Sequence, residues 1–369
     1  METPDVLIIG GGIIGVSLAR ALARSCSRVV VVEQGKVGFA SSSAAAGLLS
    51  PTFDPQTAPA LAEVCDRAAA LYPEWVNELR ADGASDFGYR RVGLLSVARD
   101  AAEAERLQAD LRASVSRRRA DWLDATELRR REPGLAEQVA GAVCFADDAH
   151  VDPARMVEQV ARVATLAGVV IREQEPVRRV ECQGDRITAV HTQRAVYQPG
   201  LVILTAGAWT GELAAPLGLH LPTRPVKGQM VLAECRTPPV TMPLHAGNAL
   251  LIPWPDGRLA LGVTMEEAGY DDRVRLDSLL QILRETIDLV PAVGRLALSH
   301  AWAGLRPATP DGLPYMGQPP SLRNLWVSTG HFRKGTLLAP LAAQLVAASI
   351  RAGRAVEELT PFRPTRFQV

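Results

Sequence analysis

Uninterrupted apolar runs at the start of the chain predict strands that are buried on both faces. Residues Asp5 to Ile9 form one run and Arg28 to Val32 form another, with a helical pattern from about Ile13 to Arg24 between them. Strands of a parallel sheet that helices cover on both sides are continuously hydrophobic rather than alternating. The opening of the chain therefore predicts a strand–helix–strand unit within a parallel sheet.

Helical and strand-like patterns alternate through the rest of the chain. Amphipathic spacing predicts helices at Leu61 to Leu79, Ala101 to Arg117 and Ser278 to Leu289. An apolar stretch from Leu337 to Ile350 is shorter than a membrane span and is predicted to be a buried helix. Further strands are predicted at Val169 to Arg172, Arg178 to Cys182, Ile187 to His191, Leu201 to Thr205 and Leu325 to Ser328. The 369 residues exceed one ordinary domain, so two domains are expected.

A glycine pattern lies between the first strand and the first helix. In Gly10-x-Gly12-x-x-Gly15, the first glycine permits a tight turn, the second lets the backbone approach a pyrophosphate, and the third allows close helix packing. The helix N-terminus offers unpaired N–H groups to the phosphates. Glu33 ends the second strand, where its carboxylate is placed to accept hydrogen bonds from a ribose. The arrangement predicts dinucleotide binding.

The segment after Glu33 favours FAD over NAD. A nicotinamide dehydrogenase would continue with further strand–helix units, whereas residues 38–60 here are rich in Ser, Ala, Gly and Pro. A flexible linker is one interpretation of this composition. We prefer a loop whose small side chains let the backbone approach a ligand. A later strand ending at Thr205-Ala206-Gly207 suits a cofactor long enough to cross two domains.

Charge and cysteine usage narrow the class of protein. Lys plus Arg and Asp plus Glu both number 40, so a nucleic-acid or anionic-membrane partner is not expected. The arginine runs at 117–119 and 129–131 are interpreted as solvated helix faces. Five widely spaced cysteines without a C-x-x-C pattern argue against a zinc site or a disulfide framework, and no metal cluster is expected. A reducing cytoplasm fits this cysteine usage. The N-terminal residues METPDVLIIGGG have no basic segment followed by an apolar one, so no secretory signal is expected.

Several ordered blocks in the chain resemble the glycine oxidase branch of the D-amino-acid oxidase flavoproteins. The blocks are GGGIIG at 10–15, SAAAG at 43–47, DDAHVDP at 147–153, PVKGQ at 225–229, AWAGLRPATPDGLPYMG at 301–317 and GHFRKGTLLAP at 330–340. The resemblance implies an α/β fold with a Rossmann-like FAD-binding domain, built on a parallel sheet, and an α+β substrate domain with a mainly antiparallel sheet. The resemblance also implies a noncovalent FAD. No cysteine follows Cys235, so the C-terminal blocks contain no thiol to which a flavin could be attached.

The resemblance also implies domain boundaries. The FAD-binding domain would be discontinuous and comprise residues 1–85, 145–215 and 304–369. The substrate domain would comprise residues 86–144 and 216–303.

Cofactor and substrate contacts are carried over by motif. The implied FAD contacts are Gly10, Gly12, Ile13, Ile14, Gly15, Glu33, Gln34, Ser41, Ser42, Ala46, Gly47, Leu48, Val177, His331, Phe332, Arg333, Lys334, Gly335, Thr336 and Leu337. Arg306 matches the arginine that binds the substrate carboxylate, and a guanidinium can grip a carboxylate with two parallel hydrogen bonds. Arg333 is implied as a second arginine near the substrate. No residue is assigned as a catalytic acid or base.

The implied reaction is oxidative deamination of a small amino acid such as glycine, sarcosine or a small D-amino acid. A hydride would pass from the substrate Cα to flavin N5, and the products would be an imine, then a keto acid with ammonia, and hydrogen peroxide from O2. The resemblance further implies a homotetramer and a supply of thiamine thiazole. Leu250 stands where the family has a tyrosine, so strict glycine specificity is not expected. A dehydrogenase with another electron acceptor, and a flavin-carrying subunit of a larger complex, are the alternatives.

The remaining candidate residues are predicted to be structural. Trp209 and Trp302 are interpreted as core aromatics, and Asp54 as a loop cap. His331 is as readily a packing histidine as a catalytic one.

Overall fold

The helices and strands are those of a computed structural model that describes residues 1–51, 58–113 and 119–367. The helices are α1 (Ile13–Ala23), α2 (Pro59–Ala81), α3 (Ala101–Ala113), α4 (Ala125–Arg131), α5 (Pro153–Leu166), α6 (Thr210–Ala214), α7 (Leu276–Leu289) and α8 (Gly335–Ala352). The strands are β1 (Val6–Ile9), β2 (Val29–Val32), β3 (Leu48–Leu49), β4 (Leu94–Ala98), β5 (Ala120–Asp124), β6 (Gly141–Phe145), β7 (Ala149–His150), β8 (Val170–Arg172), β9 (Val177–Gln183), β10 (Arg186–Thr192), β11 (Val196–Tyr197), β12 (Leu201–Leu204), β13 (Arg224–Glu234), β14 (Leu244–Ala246), β15 (Ala249–Pro253), β16 (Arg258–Gly262), β17 (Ala297–Ala308), β18 (Tyr315–Gly317) and β19 (Leu325–Thr329).

The predicted strand–helix–strand unit forms the centre of a six-stranded sheet. Its order is β18-β19-β12-β1-β2-β8, and β1 pairs in parallel with both β2 and β12. Every residue of β1 and β2 is buried, as the uninterrupted apolar runs predict. Helices α1, α5 and α8 pack together over this sheet. The carboxyl ends of β1, β2, β12 and β19 therefore meet at one edge, where ligands bind in open parallel sheets.

A second sheet of eight strands has the order β17-β13-β16-β15-β14-β4-β6-β5. All of its pairings are antiparallel except that of β14 with β4. The long strands β13 and β17 pair along their whole length, and α7 packs on the sheet. The α/β fold with one largely parallel and one mainly antiparallel sheet is thus confirmed. The strands of the second sheet come from residues 94–145 and 224–308, so β17 continues past the predicted boundary at residue 303. The domain boundaries stay a prediction.

Helix ends follow the local signals in the sequence. The Asp124 side chain accepts hydrogen bonds from the N–H groups of Thr126 and Glu127, and Asp152 caps α5 in the same way. Gly168, with φ of +92°, follows the end of α5 in the left-handed conformation. The predicted helix from Ala101 ends at Ala113, and its last residues, like Arg117, lie outside the described part of the chain.

Helix α8 is longer than the sequence pattern predicts. Its 18 residues are long and apolar enough to cross a membrane by length and composition, so the prediction that it is too short is wrong. However, 67% of this stretch is buried inside the protein, where Leu338, Leu341 and Leu345 pack in the main core. The prediction of a buried helix is therefore confirmed.

The five cysteines are all unpaired in the structure. In the described ranges, His, Cys, Asp and Glu side chains form no group that could hold a metal ion. Residues 129–131 are exposed on α4 and Arg119 is exposed ahead of β5, whereas Arg118 is outside the described ranges.

Candidate active site

A cavity of about 370 Å³ opens where the carboxyl ends of the parallel strands face the eight-stranded sheet. The start of α1, the end of β2 and the loop after it form one wall. The segment between β19 and α8 forms another, and β13, β15 and β17 contribute the far side. The cavity thus lies between the two sheets, where the sequence predicts a cofactor that spans two domains.

The glycine turn at the start of α1 has almost no room for side chains. Gly10 has φ of +112°, and a Cβ there would lie 2.5 Å from the carbonyl oxygen of Thr205. Gly12 lines the cavity, and the N–H of Ile13 donates to Ser42 Oγ at 2.9 Å. The turn therefore brings backbone and the N-terminus of α1 to the cavity, an arrangement that favours phosphate groups.

Two residues predicted as cofactor contacts do not reach the cavity. A Cβ at Gly15 would lie 2.0 Å from the carbonyl oxygen of Gly10, so this glycine allows α1 to pack against the turn. Leu337 is 1% exposed and lies in the main core, because its position on α8 faces the other helices. Their assignment as direct cofactor contacts therefore stays a prediction that the cavity lining does not support. All the other predicted contact residues line the cavity: Gly10, Gly12, Ile13, Ile14, Glu33, Gln34, Ser41, Ser42, Ala46, Gly47, Leu48, Val177, His331, Phe332, Arg333, Lys334, Gly335 and Thr336.

Backbone N–H groups orient Glu33 at the end of β2. Its Oε2 accepts from the N–H of Gly11 at 2.7 Å, and its Oε1 accepts from the N–H of Gly35 at 2.8 Å. Burial raises the pKa of this carboxyl group, and the backbone hydrogen bonds partly offset that effect. A fixed acceptor at the end of the second strand suits the ribose hydroxyls of a dinucleotide.

The small-residue loop after β2 packs against β17. Ser41 Oγ donates to the carbonyl oxygen of Leu305, and Trp302 Nε1 donates to that of Ala44 at 3.1 Å. A Cβ at Gly304 would lie 2.4 Å from the Cβ of Ala44, so small residues on both sides allow this approach. In the described residues up to 51 the loop is a wall of the cavity, and the linker interpretation is wrong there. Asp54 lies outside the described residues.

The segment between β19 and α8 brings further predicted residues to the cavity. The side chain of Lys334 donates to the carbonyl oxygens of Ser50 and Pro51 at 3.1 and 3.2 Å, which ties this segment to the loop. Gly335 begins α8, so the backbone of the helix N-terminus faces the cavity. Phe332 has φ of 46°, a conformation that costs a non-glycine residue free energy and is common at functional sites.

Buried polar atoms on the cavity wall fit a bound polar cofactor. His331 Nε2, Ser328 Oγ and Ser50 Oγ are buried without a hydrogen-bond partner among the described residues. Such atoms cost free energy unless a ligand or water satisfies them. Together with the glycine turn and Glu33, they fit an FAD, and Val177 and Glu175 line the same cavity.

Arg306 and Arg333 both line the cavity, close enough for the charge of Arg333 to act on Arg306. Arg306 Nη1 donates to the carbonyl oxygen of Thr264 at 3.2 Å, and no carboxylate in the described ranges forms an ion pair with Arg306. Burial lowers the pKa of the Arg306 guanidinium to about 10. The positive charge of Arg333 also lowers this pKa, whereas the negative charge of Glu266 raises it. Arg306 therefore remains charged at neutral pH, with donors that a bound anion can use.

Apolar side chains complete this part of the cavity. Leu250 is 2% exposed and lines it with Val263. Trp209 is half-buried, lines the cavity and lies 5.6 Å from the ring of Tyr270, measured between centroids. The interpretation of Trp209 as a core aromatic is therefore wrong, whereas Trp302, a residue of β17, is partly buried against a hydrophobic cluster and donates to the loop. Trp209 follows the Thr205-Ala206-Gly207 strand end, which predicts a position near the edge of the sheet, but no sequence signal shows that it faces the cavity.

One cavity thus combines a dinucleotide turn with a partly apolar region and an arginine that forms no ion pair in the described ranges, and this combination defines a flavin-dependent oxidoreductase. The chain matches the family described as "DAO: FAD dependent oxidoreductase" over residues 5–349. The chain belongs to this family, so the resemblance seen in the sequence and the FAD cofactor are confirmed.

Relatives and solved structures agree with this assignment. A glycine oxidase of Pseudomonas putida is 34% identical over 362 residues, covering 98% of each chain. The bifunctional protein ThiO/ThiG of Synechocystis is 34% identical over 99% of this chain and 54% of its own length. The structure of glycine oxidase from Geobacillus kaustophilus matches with a TM-score of 0.94 at 32% identity, covering 100% of both chains. Iminodiacetate oxidase from Chelativorans matches with a TM-score of 0.87 at 27% identity, covering 97% of this chain and 98% of that one.

Proposed function

We propose that this FAD-dependent amine oxidoreductase oxidises glycine or another small amino acid, with O2 as the electron acceptor. The observation that carries the proposal is Arg306, a partly buried cation that forms no ion pair in the described ranges, in the cavity that fits FAD. A carboxylate is the complement of such a guanidinium. Similarity to glycine oxidases over nearly the whole chain supports the same substrate class.

Each wall of the cavity has a distinct part in the proposed reaction. Arg306 binds the substrate carboxylate, and Arg333 adds positive potential beside it. Leu250, Val263 and Trp209 exclude water from the substrate carbon. FAD, when bound, accepts two electrons from the substrate. The resulting imine hydrolyses to a keto acid and ammonia, and O2 is reduced to hydrogen peroxide.

The rate is expected to increase with pH because a neutral substrate amine is needed to support the developing imine. Burial lowers the pKa of His331 to about 3 and that of His245 to about 4, so neither histidine changes charge near neutral pH. Arg306 stays charged below its pKa of about 10. The value of kcat/KM for glycine should therefore rise from about pH 7 to about pH 9, as the substrate loses its ammonium proton. A rate that falls over this range, in enzyme that retains its flavin, would contradict the proposed mechanism.

Leu250 widens the range of proposed substrates. It is an apolar side chain at the substrate side of the cavity, so a hydroxyl contact to the carboxylate is absent there. One such contact contributes about 1 kcal/mol net. Sarcosine and small D-amino acids are therefore included with glycine.

An anaerobic substrate panel tests the proposed function. Purified enzyme is mixed with glycine, sarcosine, D-alanine and iminodiacetate without oxygen, and loss of flavin absorbance near 450 nm is followed, at about 25 °C. Bleaching by at least one of these amines is expected, followed by peroxide formation when oxygen is admitted. A yellow protein that no amino acid bleaches would instead favour the flavin-carrying subunit. Bleaching without peroxide would favour the dehydrogenase.

The oxidase is preferred to the dehydrogenase on the comparisons. The glycine oxidase relatives are at least 30% identical, whereas the L-proline dehydrogenase from P. horikoshii is 23% identical and shares the fold.

We also propose a cytoplasmic homotetramer that supplies thiamine thiazole. Five unpaired cysteines support the compartment, and the ThiO/ThiG relative supports the pathway. The tetramer follows from the family resemblance alone, and light scattering during gel filtration tests it.

A further inference from the structure

The PVKGQ block at 225–229 lies on β13, directly beside the strand that carries Arg306. Val226 is the residue opposite Arg306 in the register of β13 and β17, so Gly228 is its diagonal neighbour. A Cβ at Gly228 would lie 2.1 Å from Nη2, 2.3 Å from Nη1 and 2.4 Å from Cζ of Arg306. The guanidinium therefore rests directly on the backbone of Gly228.

The need for glycine at position 228 comes from Arg306 and not from the backbone. The φ angle of Gly228 is outside the left-handed region, so alanine could adopt the same conformation. The atoms that its Cβ would meet are the far end of a flexible side chain. An alanine at this position would therefore leave the sheet intact and displace the guanidinium.

The neighbours of Gly228 fix the backbone that binds Arg306. Lys227 and Glu266 exchange two backbone hydrogen bonds, each 2.9 Å long. The N–H of Gln229 donates to Thr264 Oγ1 at 3.0 Å. Residues 264–266 are thus attached to β13 on both sides of Gly228, and they include the carbonyl oxygen of Thr264 that accepts from Arg306.

The Glu266 carboxylate links residues 264–266 to β13 through its hydrogen bonds. Its Oε1 accepts from Thr264 Oγ1 at 2.6 Å, Gln229 Nε2 at 2.7 Å and Ser278 Oγ at 3.0 Å. Its Oε2 lies 3.3 Å from Nζ of Lys227, whose side chain is 1% exposed. Glu266 is only partly buried, but a carboxylate that accepts from this many fixed donors has few other positions open to it.

We propose that Lys227, Gly228 and Gln229 are positioning residues for Arg306. Gly228 is the surface on which the guanidinium lies, and the two flanking side chains, through Glu266, fix the Thr264 carbonyl that orients it. The inference rests on the proposed function, since it takes the carboxylate of the substrate as the ligand of Arg306. Neither the side chain of Lys227 nor that of Gln229 contacts the substrate in this proposal.

Gly228→Ala is expected to weaken carboxylate binding and leave the later chemistry nearly unchanged. The KM for the best amino acid of the panel should rise about tenfold to a hundredfold, while kcat changes by less than about threefold, as for lost binding alone. The Kd of acetate, followed through the flavin spectrum of the oxidised holoenzyme, should rise by the same factor. Gly294→Ala is the matched control, because its Cβ would meet only Ile287 at 3.5 Å, and it should change neither value.

A double-mutant cycle separates positioning from a merely structural role. In the Arg306→Ala background, Gly228→Ala should have no further effect on the Kd of acetate beyond about twofold, because the group it displaces is gone. Gly228→Ala with unchanged acetate binding, or with an effect that adds fully to that of Arg306→Ala, would overturn the inference. If Arg306→Ala itself leaves acetate binding unchanged, the carboxylate clamp of the proposed function fails. If Gly228→Ala does not fold, Glu266→Gln replaces it, because glutamine keeps the shape of the network. Glu266→Gln should then raise the Kd of acetate, and this effect should disappear in the Arg306→Ala background.

Discussion

Replacing Arg306 by alanine is expected to raise the KM for the amino-acid substrate by about a hundredfold or more. Removing one partner of a buried, hydrogen-bonded charge pair costs about 2–5 kcal/mol, which corresponds to a change of about 30-fold to several thousandfold. The site offers no substitute in the same place, since Leu250 and Val263 are apolar. Steady-state kinetics should show the loss mainly in KM, because the carboxylate is bound equally before and during the reaction.

Two controls show whether the lost interaction is the carboxylate clamp. Arg306→Lys keeps the charge without the planar fork, so its KM should lie between those of the wild type and the alanine variant. A simple amine without a carboxylate, such as methylamine, should be a poor substrate of both enzymes. Its kcat/KM should be no lower with Arg306→Ala than with the wild type. If kcat/KM for the amino acid is unchanged in Arg306→Ala, Arg306 does not bind the substrate.

The parts of the site that the sequence predicts are those that depend on local signals. The glycine turn and the acid at the end of β2 each follow from a few neighbouring residues, because backbone conformation and short-range hydrogen bonds determine them. The family blocks extend this prediction to the segment before α8. Hence most of the contact residues that were carried over by motif do line the cavity.

The parts that the sequence misses depend on packing between distant segments. Nothing near Gly228 in the sequence shows that a guanidinium from β17 lies against it, because the contact depends on the register of two strands. Trp209 follows a strand end, and only the fold decides that it faces the cavity. Gly15 and Leu337 were assigned to the cofactor by motif, although each turns toward helix packing.

Replacing Gly10 by alanine is expected to abolish FAD retention. The added Cβ would lie 2.5 Å from the carbonyl oxygen and 2.8 Å from the carbonyl carbon of Thr205. These are backbone atoms of the neighbouring parallel segment, and they cannot rotate away as a flexible side chain can. The turn must move, and the N–H groups at the start of α1 move with it. We expect the purified variant to be colourless, with a Kd for FAD raised by about a hundredfold or more, since several phosphate contacts are lost together.

Gly168→Ala is the matched control for this substitution. Gly168 has φ of +92°, close to the +112° of Gly10, but a Cβ there would meet nothing within 4 Å. Both variants bear the cost of a left-handed conformation, about 1–2 kcal/mol, and only Gly10→Ala adds a collision with backbone. Gly168→Ala should therefore unfold at a lower temperature and remain yellow, with the wild-type ratio of flavin to protein absorbance. A Gly10→Ala protein that binds FAD as the wild type does would show that the dinucleotide lies elsewhere, because this turn cannot accept the added atom without moving.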